Sequence, residues 1–114
     1  MEKQRVRGAE DLERAMSGVF GPCKITRKLS QVLAYAAVRG TVSYQEIKEI
    51  IKDDPEDVLL LADKWRLLLP VRTAKSSGWE DRLLLLKDGE IYEIPNIIRY
   101  LIIALAPQIC YNIA

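Results

Sequence analysis

Between Gly40 and Pro55 the chain stops one helix, starts a second and restarts a third, and few folds accommodate so tight a succession of signals. Upstream, Ile25, Leu29, Val32, Leu33, Ala36 and Ala37 recur at i, i+4, i+7, i+8, i+11 and i+12, an amphipathic helix for which Gly40 is the C-terminal stop. Thr41 and Val42 are β-branched and suit a very short strand. Ser43 then stands three residues before Glu46, the spacing of a capping box, ahead of Ile47, Ile50 and Ile51. Asp53-Asp54-Pro55 places a cap residue before a proline, so the second helix ends near Lys52 and a third runs over 55–68, with Asp54 as its cap. The inner stripe of that third helix reads Val58, Leu61, Ala62, Trp65 and Leu68.

The flanking segments read as follows. Leu12, Met16, Val19 and Phe20 sit at helical spacing in a lead-in helix over 9–20, ended by Gly21-Pro22. After Pro70 the pattern turns to short strands: Val71 to Thr73, then the leucine-rich run 79–87, then 91–94. Asp88-Gly89 gives a tight hairpin turn, and Lys75 to Gly78 a looser polar loop. Pro95-Asn96 opens a last helix, 97–106, apolar on every face except for Arg99. Such a helix predicts burial on all sides. At ten residues it is too short for a bilayer, which takes about 20 apolar residues; the economical cover is a partner helix, the alternative being the lead-in helix over 9–20 folded across it within one chain.

At 114 residues, 49% apolar and 29% charged, the chain has the profile of one soluble domain with a core large enough to need no staples. It contains no His and only two Cys, Cys23 and Cys110, which removes His-based triads and Cys/His zinc patterns together. No Asp-x-Asp-x-Asp-Gly loop and no nucleophile paired with a base stands out, so the reading is not an enzyme, with no metal and no cofactor. Met1 to Arg5 carry charges with no apolar stretch behind them, giving neither a signal peptide nor a membrane anchor. The expectation is a cytoplasmic protein with two free thiols. Much Ile, Leu, Lys and Glu with no His hints at a thermophilic source.

The order helix, short strand, helix, tight turn, helix, β-hairpin over residues 25–94 resembles a winged helix-turn-helix domain. The match is carried by the Ser43 to Glu46 box, the Asp54-Pro55 restart and the polar loop at Lys75 to Gly78. The expected fold is mainly α with a small antiparallel β hairpin (α+β). One domain, 1–114, has its core at 25–94 and flanking helices at 9–20 and 97–106. The resemblance implies a DNA-binding transcription regulator with the 55–68 helix in the major groove and the wing beside the backbone, or, in a minority of such domains, a protein-interaction module. Fold alone does not choose between them.

Charge constrains the choice. Residues 1–44 carry a net +4, 45–63 carry −5, 64–82 carry +3 and 83–114 carry −1. Asp53, Asp54, Glu56 and Asp57 crowd the start of the would-be recognition helix, where carboxylates stabilise the helix dipole but repel phosphates. The cations lie elsewhere. Lys24, Lys28, Gln31, Tyr35 and Arg39 form one stripe of the first core helix with Arg27 beside it. The candidate DNA contacts are therefore Lys24, Arg27 and Lys28 on that helix, with Arg72, Lys75, Ser76 and Ser77 on the wing. Ile98, Leu101, Ile102 and Leu105 are the candidate interface of a homodimer. The competing reading, a protein-binding module without nucleic acid, places its patch at Leu59, Leu60 and Leu67.

Overall fold

The computed structural model describes residues 8–21, 23–71, 86 and 89–109. In chain order these form α1 (Ala9–Phe20), α2 (Lys24–Arg39), β1 (Thr41–Ser43), α3 (Tyr44–Ile50), α4 (Pro55–Lys64), β2 (Leu69–Pro70), β3 (Ile91–Glu93), α5 (Asn96–Leu105) and a closing 3₁₀ turn, Pro107–Ile109. The architecture is mainly helical with one small antiparallel sheet, ordered β1-β3-β2. β3 is the centre: Val42 faces Tyr92 on one side and Pro70 faces it on the other. Pro70 has no N–H to give and is tolerated because β2 is an edge strand.

α2 is the hub. Leu29, Val32, Leu33, Ala36 and Ala37 are all buried to within 1% exposure, as the period-3.6 spacing requires. α1 lays Leu12 and Met16 against it, and the turn between the two helices is sewn by side chains. The Thr26 hydroxyl donates to the Gly21 carbonyl at 2.7 Å, and the buried Ser30 hydroxyl donates to the Thr26 carbonyl at 2.8 Å. Gly21 ends α1 at φ 90, and Gly40 likewise ends α2 at φ 90, each in the left-handed region that a Cβ disfavours.

The capping box forms as the spacing predicts. The Glu46 N–H donates to Ser43 Oγ at 3.0 Å and the Ser43 N–H donates to Glu46 Oε1 at 2.9 Å. Its second carboxylate oxygen accepts from the Tyr35 hydroxyl at 2.7 Å, so the box is bolted to α2. Burial alone would raise the Glu46 carboxyl, but the Tyr35 and Ser43 hydrogen bonds outweigh it and hold the group below its ordinary value of 4.5. Tyr35 is pushed up to about 12, first by burial and then by donating to that carboxylate.

Four expectations need correction. Asp54 restarts α4 by its backbone, at φ 53 and ψ 51, and makes no side-chain cap bond. The helix that follows ends at Lys64 and not at 68, although no glycine is there to stop it. Arg66 takes the left-handed position at φ 57, and the N–H groups of Arg66 and Leu67 donate to the Asp63 and Ala62 carbonyls at 3.1 and 2.8 Å, a Schellman motif built on an arginine. Trp65 consequently leaves the inner stripe. It is 52% exposed and meets Phe20 edge-on with ring centroids 5.6 Å apart. Finally, the strand expected at Val71 to Thr73 begins earlier, at Leu69, with the Val71 N–H still donating to the Ile91 carbonyl at 2.9 Å. The expected strand at 79–87, the polar loop and all but Gly89 of the hairpin turn lie outside the described residues, apart from Leu86.

α5 departs most from its expectation. It is not buried on all sides: Ile102 reaches the core at 4% exposure, while Ile97, Tyr100, Leu101 and Leu105 are between 54% and 70% exposed. Arg99, its single charge, points inward. Its Nε donates to the Ala37 carbonyl at 2.6 Å and its Nη2 to the Val38 carbonyl at 3.2 Å, closing two of the carbonyls that the end of α2 leaves without intrahelical partners.

Candidate cationic cleft

Three of the sequence-selected cations come together. Lys24, Arg27 and Lys28 occupy the first two turns of α2 and form one wall of a cleft of about 580 Å³. Lys52, Asp53 and Asp54, in the turn between α3 and α4, form the other. Lys28 bridges the walls, its ammonium donating to the Asp53 carbonyl at 3.2 Å. Arg27 leans toward α1, with Nε 3.6 Å from Glu13 Oε2 and two thirds of its side chain exposed, a weak pair in solvent. Among the described residues Lys24 and Lys52 have no ion-pair partner. The cleft lining has four cations and two carboxylates.

The helix end sharpens the electrostatics. α2 starts at Cys23, whose side chain makes no cap bond, and its first turn holds no acid, unlike the first turns of α1, α3 and α4. Partial positive charge from the unpaired N–H groups therefore adds to that of the lysines, and nothing within the helix compensates it. Beside it, Cys23 is an exposed free thiol held below its ordinary value of 9.0, first of all by its hydrogen bond with the Thr26 hydroxyl, 3.3 Å away.

The other sequence-selected positions separate. Lys52 was missed by reading along the first helix alone; its signal is a cation directly before the Asp53-Asp54-Pro55 restart. Arg72, Lys75, Ser76 and Ser77 lie outside the described residues. The stripe from Lys24 to Arg39 is not continuous. Tyr35 is only 7% exposed, and Arg39 folds over its ring, 4.8 Å from the centroid. Of the expected protein-binding patch, Leu59 is a core residue at 1% exposure, Leu67 is half-buried and Leu60 alone stands out at 53%. Leu59 turns inward because α4 rests its 58/59/62 face on the core, not the 58/61/62/65 face expected from the sequence. Of the expected dimer residues, Leu101 and Leu105 are exposed, Ile98 is half-buried and Ile102 belongs to the core.

The acids of α4 are less free than their number suggests. Glu56 Oε2 accepts from the Tyr44 hydroxyl at 3.0 Å, tying the start of α4 to the start of α3. Asp57 stays exposed on the first turn. No group of three or more His, Cys, Asp or Glu that could hold a metal occurs among the described residues.

Residues 10–110 match the model of a family of unknown function, and the chain belongs to that family. No curated protein and no solved structure matches it. None of the described helices is long and apolar enough to cross a membrane.

Proposed function

We propose that this protein is a winged-helix DNA-binding protein that grips duplex DNA by its phosphates at the α2 cleft and serves in transcription control. The observation that carries the reading is the placement of Lys24, Arg27 and Lys28 at a helix N-terminus that is already positive, with Lys52 across from them. Cations at that end cost a folded chain stability, and an anion is the natural counterpart. The element order α2-β1-α3-α4-β2-β3 and the strand order β1-β3-β2 support the winged-helix part. α4 carries Glu56 and Asp57 where a groove-reading helix would meet base edges, so the contact is made to the backbone and sequence discrimination is weak.

Salt-titrated binding to mixed-sequence duplex DNA tests this. Lys24→Ala with Lys52→Ala removes two cations that hold nothing else in place, so the fold is kept. Two lost phosphate contacts lower the salt slope by about 1.8 and weaken different sequences equally. Absence of binding by the folded wild type at low salt ends the DNA reading. It would leave the protein-interaction reading, which the exposed Leu60 and Trp65 at α4 favour.

A further inference from the structure

We propose that the outer stripe of α5 is a homodimer interface, α5 of one copy lying antiparallel to α5 of a second about a two-fold axis at Leu101. Ile97, Tyr100, Leu101 and Leu105 are 70%, 68%, 54% and 55% exposed, and Ala104 between them is exposed as well. These positions, i, i+3, i+4, i+7 and i+8, make one continuous face about two and a half turns long. That face contains no charged side chain. Arg99, the helix's one charge, is spent on the end of α2 on the opposite side.

Three features select a second copy of this chain over another occupant. The stripe is symmetric in sequence, with large apolar residues four positions either side of Leu101, so reversal of the helix places Ile97 against Leu105 of the second copy and Leu101 against its own equivalent. A face without charge has nothing to select an acidic or basic partner, whereas it is complementary to itself, the requirement of an isologous contact. The area is also of the right order. Four large side chains at these exposures present roughly 400 Å² per copy, already within the range where a monomer's apolar patch marks an interaction site. Doubled, and with the flanking Asn96 and Pro107, it approaches about 1,000 Å², the lower bound of a specific, weak interface.

The arrangement differs from one drawn on the sequence alone: Ile97 and Tyr100 replace Ile98 and Ile102, because the latter two face the chain's own core. It stands independently of DNA binding, since it is measured without nucleic acid.

Sedimentation equilibrium on the full chain over about 1–200 μM is expected to give a monomer–dimer equilibrium with a dissociation constant on the order of 10 μM. Leu101→Glu and Leu101→Lys should each be monomeric and folded by circular dichroism, Leu101 being outside the core. Mixed, they should associate again, because the two charges meet across the axis. Ile97→Glu mixed with Leu105→Lys supplies a second pair: one contact becomes an ion pair and the other stays native. A wild type that is monomeric throughout the range overturns the proposal, as does failure of both mixtures to associate or dimerisation of the charged variants at the wild-type strength.

Discussion

Replacing Arg99 by Met keeps the length and apolar stem of the side chain and removes only the guanidinium, which isolates what that group does. In the native chain it donates to the Ala37 and Val38 carbonyls at 2.6 and 3.2 Å, half-buried between α5 and the end of α2. A hydrogen bond to a charged donor contributes about 1.5–3 kcal/mol, but a helix end near the surface lets water take over part of each lost bond. A cation at a partly buried helix C-terminus contributes up to about 2 kcal/mol by itself, much of it through the same contacts. The expected loss is therefore about 2–3 kcal/mol in total. At this chain length 1 kcal/mol corresponds to roughly 4 °C, so thermal unfolding followed by circular dichroism should show Tm falling by roughly 8–12 °C. Arg99→Lys supplies a compact charge able to reach one carbonyl and should recover about half of the loss. A Met variant melting within about 2 °C of the wild type, or a Lys variant no better than Met, would refute the assignment of Arg99 as the clamp between α5 and α2.

Arg66→Gly should raise stability by roughly 1 kcal/mol in urea unfolding, because Arg66 holds φ 57 in a Schellman motif that glycine adopts without a Cβ penalty; a destabilised variant would show that its weak pair with Asp63, at 3.9 Å, outweighs the backbone strain. Tyr35→Phe should cost about 1–2 kcal/mol at neutral pH by removing the donor to Glu46. The Glu46 value is lowered on folding, so its contribution is complete above about 4.5 and disappears as pH falls through the lower folded value; the gap between wild type and Tyr35→Phe in urea must narrow over that acid range. At the other end, Tyr35 rises from 10.0 to about 12 on folding, so the wild type should lose stability as pH climbs from 10 to 12 while Tyr35→Phe loses less. Asp57→Asn removes an exposed charge from the first turn of α4 and, with the proposed DNA contact at α2, should change DNA affinity less than about two-fold at fixed salt; a large tightening would put DNA against α4 instead.

The sequence by itself determined the elements whose signals are local. Period-3.6 burial placed α2, the Ser43–Glu46 spacing placed the start of α3, and Pro55 placed the start of α4, each within a residue or two, because caps and amphipathic stripes act over a single turn. It also selected Lys24, Arg27 and Lys28, since a run from 20 to 40 without an acid is visible in one dimension. Tertiary structure decided the rest. Lys52 joins those cations only because the α3–α4 turn packs across the α2 N-terminus, a proximity between residues 24 and more apart in the chain. α4 ends at Lys64 because an arginine accepts a left-handed conformation that propensity assigns to glycine, and that early end takes Trp65 out of the helical stripe. The apolar character of α5 was plain, but which of its faces is covered was not. Arg99 fixes the helix rotation by reaching two free carbonyls at the end of α2, and that long-range contact, absent from any local pattern, leaves Ile97, Tyr100, Leu101 and Leu105 facing outward.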